Sequence, residues 1–200
     1  MPQAQRWNHN SHYHRLALAA IPEGARTGLD IGFGDGDLVL ALASRLDRVV
    51  GVDADVDVVL RAREASVDAA AAVTLIRGDA LQPRLPGEPF DVVTCFAALH
   101  HLPLDAALQR MRDLTAPGGV LVIVGLARDA TVWDRIVSSI GVPANGIARA
   151  LRGEYRHGAP TIEPRESYGE VRAAARRILP GVRYRRRLYW RYSLLWRKPA

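Results

Sequence analysis

The 200-residue chain predicts an α/β fold, a doubly wound and mostly parallel sheet, and three observations carry that prediction. From residue 26 onward, short β-branched or apolar runs alternate with longer helical patterns, the order that lays parallel strands between helices on both faces. Three glycines, Gly32, Gly34 and Gly36, crowd the turn after the first apolar run, in "TGLDIGFGDGDL". A chain that is 48% hydrophobic, with a mean hydropathy of -0.04, suits one globular domain with a substantial core.

Each element follows from its own residues. "TGLDIGF" reads as a first strand, "GDLVLALASRL" as a helix opened by Asp35 and Asp37, and "RVVGVD" as a second strand. "ADVDVVLRAREASVDAAA" is helical, and "VTLIRGD" is a third strand. A proline-rich turn, "LQPRLPGEP", leads into a fourth, "FDVVTCF". "LDAALQRMRDLTA" is a helix ended by "PGG", and "VLVIVGL" is a fifth strand. Residues 128–160 break the rhythm and read as a helical insert after the fifth strand, a lid over the carboxyl ends of the strands where such sheets bind ligands. "YGEVRAAARRIL" is a final helix, and "VRYRRRLYWRYSLLWRK" holds two closing strands. The expected organisation is a cap segment at 1–25, a binding core at 26–127, the lid, and the final helix and closing strands at 161–200.

Composition narrows the function classes. No run reaches the ~20 apolar residues of a membrane span, and the polar N-terminus lacks the apolar centre of a signal peptide, so a cytoplasmic protein is expected. The single cysteine, Cys95, excludes an internal disulfide and a cysteine-built zinc site; it ends an apolar run and reads as a packed strand residue. The net charge of +6 is uneven: residues 151–200 carry 13 basic and 4 acidic side chains, leaving the first 150 residues net acidic. Arginine supplies all of the basic residues except Lys198, a bias that composition explains better than polyanion recognition does.

The glycine turn discriminates between ligands by its spacing. A dinucleotide fingerprint wants glycine three positions after Gly34, where Asp37 stands, and Asp30, Asp35 and Asp37 would repel a pyrophosphate. A ligand carrying a sulfonium and an ammonium would be welcome. "DIGFGDG", "VVGVDAD", "RGDA", "FDVVTCFAALHHL" and "LTAPGGVLVIVGL", in this order and at these intervals, resemble the motifs of class I S-adenosylmethionine-dependent methyltransferases, of a small-molecule branch similar to quinone-biosynthesis enzymes.

That resemblance implies a Rossmann-like sheet of seven strands with an antiparallel closing strand, and S-adenosylmethionine as cofactor. Asp53, 17 residues past Gly36, resembles the acid that accepts from both ribose hydroxyls. Asp79 would accept from the adenine amino group and the Ala80 amide would address the ring nitrogen, while Asp30 would help bind the methionine ammonium. Gly32 and Gly34 would let the turn pass against the cofactor; Gly36 either joins them or serves helix packing. Ala54, Cys95 and Tyr13 complete the expected cofactor contacts.

In-line methyl transfer rests on alignment, helped by a base when the acceptor carries a proton. Five of six histidines fall in "HNSHYH" and "ALHHL", and the candidate catalytic residues are His100, His101, His12 and His14. Trp7, Tyr13 and Leu16 argue that the N-terminal cluster docks. No metal is expected, since no HExxH-like pair is present. The apolar lid residues Trp133, Ile136, Val137, Ile140, Val142 and Ile147 suit an apolar or aromatic small-molecule acceptor, although they also fit the core face of a helix. Two other classes stay open at this point: a nucleic-acid methyltransferase using the basic C-terminal segment, and a cofactor-binding protein without chemistry. The fourth-strand motif lacks the Asn-Pro-Pro-aromatic stretch of base-amine methylating enzymes. Oligomeric state is not readable.

Overall fold

The computed structural model describes residues 11–65, 73–82, 85–131, 163–188 and 190–200. Seven strands form one sheet in the order β3-β2-β1-β4-β5-β7-β6. The first five are β1 (Thr27–Ile31), β2 (Arg48–Asp53), β3 (Val73–Arg77), β4 (Phe90–Phe96) and β5 (Thr115–Leu126), all parallel. β6 (Arg183–Arg187) and β7 (Arg191–Arg197) close the sheet, with β7 antiparallel to both of its neighbours. The expected doubly wound architecture with an antiparallel closing strand is therefore the observed one.

Helices cover both faces because successive strand residues point to opposite sides. On one face Leu29, Val50, Val93 and Ile123 pack with Leu108 and Met111 of α4 (Leu104–Leu114) and Val171 and Ala175 of α5 (Tyr168–Ile178). On the other, Val49, Val92 and Val122 meet Ala17 of α1 (His14–Ala20), Leu42 of α2 (Asp37–Ala43) and Val59 of α3 (Val56–Ala65). The strands "RVVGVD" and "FDVVTCF" have the bounds expected from their apolar runs.

Two expected boundaries differ. α2 is capped by Gly36 in the left-handed region, with Asp37 as its first residue, so Asp35 lies outside it. "PGG" does not end α4, which stops at Leu114; it belongs to β5, because Gly118 N–H donates to the Lys198 carbonyl and Lys198 N–H to the Gly119 carbonyl, drawing the segment into the sheet. Of the expected insert at 128–160, only 128–131 fall within the described residues, and Trp133, Ile136, Val137, Ile140, Val142 and Ile147 lie outside them, as do Trp7 and His9.

The carboxyl ends of β1, β2, β3, β4 and β5 share one edge of the sheet. Antiparallel β7 starts there, with Arg191 opposite Leu126, so the β6–β7 hairpin tip joins that edge. Two tyrosine hydroxyls hold the tip: Tyr13 donates to the Leu188 carbonyl at 2.9 Å and Tyr168 to that of Trp190 at 3.0 Å.

Candidate functional site

The glycine turn and the end of β2 are built as one unit. Gly32 N–H donates to the Val52 carbonyl at 2.8 Å, and its φ of 68° suits glycine. A Cβ there would sink into the Ala98 methyl, so Gly32 makes room for the loop after β4. Gly34 is different: φ is 54° and nothing lies within 4 Å of where its Cβ would be, which leaves that side of the turn open to a ligand. Gly36 caps α2 and approaches Ala62 of α3, the helix-packing role.

Asp53 is oriented by backbone amides. Gly34 N–H donates to its Oδ2 at 3.1 Å and Asp55 N–H to its Oδ1 at 3.0 Å, and the half-buried carboxylate keeps lone pairs on both oxygens for further donors. Ala54 beside it is exposed. The Asp53 carbonyl accepts from Gly78 N–H at 2.9 Å, tying the end of β3 to the same unit. The next residue, Asp79, is exposed, with Oδ1 accepting from Leu81 N–H at 2.8 Å, and Ala80 is buried. An Asp53 hydroxyl acceptor beside an open glycine turn fits the ribose of an adenosyl cofactor.

Asp30 sits below this turn, 2% exposed, with Oδ1 accepting from the Thr94 hydroxyl at 2.7 Å. Burial pushes its carboxyl up to about 7, helped by the Asp53 charge and opposed by the Thr94 hydrogen bond. With Oδ1 committed to Thr94, Oδ2 is the oxygen left for a cation. Cys95 is fully buried on the opposite face among core residues, and burial pushes its thiol up.

His14 of the N-terminal cluster and the pair His100 and His101 meet at the end of β4. The His14 ring meets Phe96 edge-on at 5.7 Å, and burial lowers its pKa to about 4. His100 and His101 follow in a 3-10 turn over Leu99–His101, their rings 4.0 Å apart. His100 is lowered to about 4 by burial, then by the charges of His101 and Arg191, and its Nδ1 is buried without a hydrogen-bond partner among the described residues. His12 stacks edge-on against Tyr13 at 4.7 Å, and the buried Tyr13 is anchored to the hairpin tip.

One residue of this edge was not anticipated. Arg191 is only 8% exposed, and burial lowers its guanidinium to about 10. Its signal in the sequence was a cation inside an aromatic strand, "LYWRYSLLW", where period two sets it inward with Ser193. Among the described residues there is no group of three metal-ligating side chains, and no helix is long and apolar enough to cross a membrane.

Residues 29–119 match the family described as "Methyltransferase domain". An "Uncharacterized methyltransferase" of Mycobacterium tuberculosis is 36% identical over 98% of this chain and 99% of its own length. The "Ubiquinone biosynthesis O-methyltransferase" of Paraburkholderia phytofirmans is 34% identical over 74% of this chain, which spans 63% of that longer relative. Among solved structures, a SAM-dependent methyltransferase from Aquifex aeolicus superposes with a TM-score of 0.61 at 17% identity, covering 92% of this chain and 88% of that one, a likeness of fold.

Proposed function

Because the chain belongs to the class I S-adenosylmethionine-dependent methyltransferases, we propose that it methylates an oxygen, nitrogen or carbon of a small-molecule acceptor at the carboxyl edge of its sheet. The observation that carries this is the Asp53 carboxylate, fixed by the Gly34 and Asp55 amides beside the open side of the glycine turn. Asp53 accepts from the ribose hydroxyls, Asp79 and the Ala80 amide address adenine, and Asp30 faces the ammonium at the methionine end. Gly34 supplies the close backbone approach, with Ala54 and Tyr13 lining the same cofactor; Gly32, Gly36 and Cys95 act through packing.

When bound, the cofactor supplies an electrophilic methyl on a sulfonium. The chain's own residues align the acceptor with it and take its proton when it has one. His100, His101, His12 and His14 wall the acceptor side, an assignment supported by the meeting of His14 with the His100–His101 turn at the end of β4. The ubiquinone-pathway relative supports a small, apolar or aromatic acceptor. A cytoplasmic setting belongs to the same proposal, supported by a chain whose single cysteine, Cys95, is buried and leaves the fold independent of disulfides.

Calorimetry with S-adenosylhomocysteine tests the cofactor site. Asp53→Ala should weaken binding tenfold or more, since two hydroxyls lose a charged acceptor. Tight binding of NAD with no response to S-adenosylhomocysteine would overturn the reading. For the acceptor side, alanine variants of the four histidines should keep cofactor affinity, and the variant that removes the base should lose roughly 100-fold in turnover.

A further inference from the structure

We infer that Thr94 is a positioning residue for the methionine end of the cofactor, its one hydroxyl proton passing between the Leu29 carbonyl and Asp30 Oδ1 as Asp30 gains or gives up a proton of its own. The inference rests on the methyltransferase reading above and adds a proton that leaves when the cofactor's ammonium docks.

The sheet gives Asp30 one polar neighbour across the strands. Asp30 on β1 is in register with Thr94 on β4 and with Gly51 on β2, so the three positions share one face of the sheet. Gly51 brings no side chain, and a Cβ there would meet Phe33 and Leu75, both at 2.8 Å. Thr94 is fully buried, and its hydroxyl lies 3.1 Å from the Leu29 carbonyl and 2.7 Å from Asp30 Oδ1. A hydroxyl owns one proton, so it donates to one of these oxygens at a time.

Two proton arrangements fit these distances. With Asp30 ionised, the Thr94 proton goes to Oδ1, and 2.7 Å is the short separation expected where a hydroxyl meets a carboxylate. With Asp30 neutral, its Oδ1–H donates to Thr94 Oγ1 and the Thr94 proton turns to the Leu29 carbonyl. Neither state leaves the hydroxyl unpaired. The first arrangement holds Oδ1 in place and presents a charged Oδ2 to a cation, so a docking ammonium selects it. The Asp30 proton then leaves to the buffer while the ammonium keeps its own.

A blander account covers half of this. A buried strand threonine needs only a backbone acceptor, and the Leu29 carbonyl supplies one. That leaves the shorter contact unexplained, which is made to the one buried carboxylate among the described residues. The titratable groups around Asp30 are few. Asp53 raises it by its charge, and Cys95, beside Thr94 on β4, stays neutral because burial pushes its thiol up. The α1 side brings Tyr13 and His14, the histidine lowered to about 4 by burial, while α2 and α3 pack there with apolar Leu38, Leu42 and Val59.

The test is calorimetry on the full chain in buffers of different ionisation enthalpy, which counts the protons released on binding. S-adenosylhomocysteine carries the ammonium, and methylthioadenosine lacks it. Wild type should release about half a proton per S-adenosylhomocysteine at pH 7, where Asp30 is half ionised, and none with methylthioadenosine. Thr94→Val keeps the branched shape of a strand residue and loses the hydroxyl, so Asp30 should hold its proton about one pH unit higher. Its release at pH 7 should then approach one proton, and its affinity for S-adenosylhomocysteine should fall about tenfold below wild type at pH 6 but only about twofold at pH 8. Thr94→Ser should restore the wild-type release and pH profile. A loss in Thr94→Val that is the same at every pH, or no loss, reduces Thr94 to packing and overturns the inference. Wild type that binds S-adenosylhomocysteine without releasing a proton overturns it whatever the variants do, as does equal release with methylthioadenosine. Failure of wild type to bind either ligand overturns the methyltransferase reading as well.

Discussion

Asp30 and His100 are pushed in opposite directions by the same cause. Burial of Asp30 raises its carboxyl to about 7, so near neutrality it is half protonated and receptive to a cation. Cofactor affinity should therefore gain from ionisation of Asp30 as pH rises through 7. The ratio of wild-type to Asp30→Asn affinity for S-adenosylhomocysteine should grow about tenfold between pH 6 and 8, because the ionised fraction rises by that factor; a ratio independent of pH would remove Asp30 from the ammonium site. His100 and His14, lowered to about 4, are neutral across this range. If either is the base, kcat at saturating cofactor should stay level from pH 7.5 down to about 5, while the KM for cofactor rises over the same interval. An acid limb of kcat near 6.5 would assign the base elsewhere. The residue types were legible in the sequence, since an acid before a glycine turn and paired histidines after a strand are local patterns. Their proton affinities were not, because burial, the main cause, is set by the whole fold, and the groups that modify it come from distant segments: the Thr94 hydroxyl, which opposes the rise of Asp30, and the Arg191 charge, which adds to the lowering of His100.

At the scale of elements, the hairpin tip depends on the helix before it. α5 begins with a capping box: the Ser167 hydroxyl accepts from Glu170 N–H at 3.3 Å, and the Glu170 carboxylate accepts from Ser167 N–H at 2.7 Å. The next residue, Tyr168, holds the Trp190 carbonyl. Ser167→Ala should cost about 1 kcal/mol of stability in urea titration. Tyr168→Phe and Tyr13→Phe should speed amide exchange over residues 186–192 while leaving α3 unchanged, and equal exchange throughout would mean that strand pairing alone holds the tip. The helix "YGEVRAAARRIL" was visible locally, as were the buried runs of β2 and β4. The early start of β5 was not, because Pro117, Gly118 and Gly119 look like a helix stop until Lys198 arrives from the far end of the chain. Arg191 escaped for a related reason: in an arginine-rich segment, one buried arginine differs from its neighbours only by sheet register.

At the scale of the whole molecule, unfavourable features gather at one edge of an otherwise well-packed sheet. The two non-glycine residues with left-handed backbone among those described, Ala97 at φ 53° and Trp190 at φ 55°, flank it, alongside the cross-strand arginines and the buried Asp30. Such concentration is typical of a site kept for a ligand at the expense of stability. Linkage turns this into a measurable slope. His14 and His100, with folded pKa values below the ordinary 6.5, contribute stability that is present above 6.5 and lost as pH falls toward 4. Asp30, raised from 3.8, contributes the other way: its stabilisation is full below 3.8 and is lost as pH rises through about 7. Asp30→Asn should accordingly stabilise the ligand-free chain at pH 8, by up to roughly 4 kcal/mol. The gain should shrink as pH falls, to less than about 1 kcal/mol at pH 4, and vanish only below about 3, where the carboxyl is neutral in both folded and unfolded chains. Saturating S-adenosylhomocysteine should narrow the gain at pH 8, since its ammonium partners the ionised carboxylate of the wild type and finds only an amide in the variant. Melting curves for both chains at pH 4, 6 and 8, with and without S-adenosylhomocysteine, measure all of this; a stabilisation that is the same at every pH would show that Asp30 carries no buried charge.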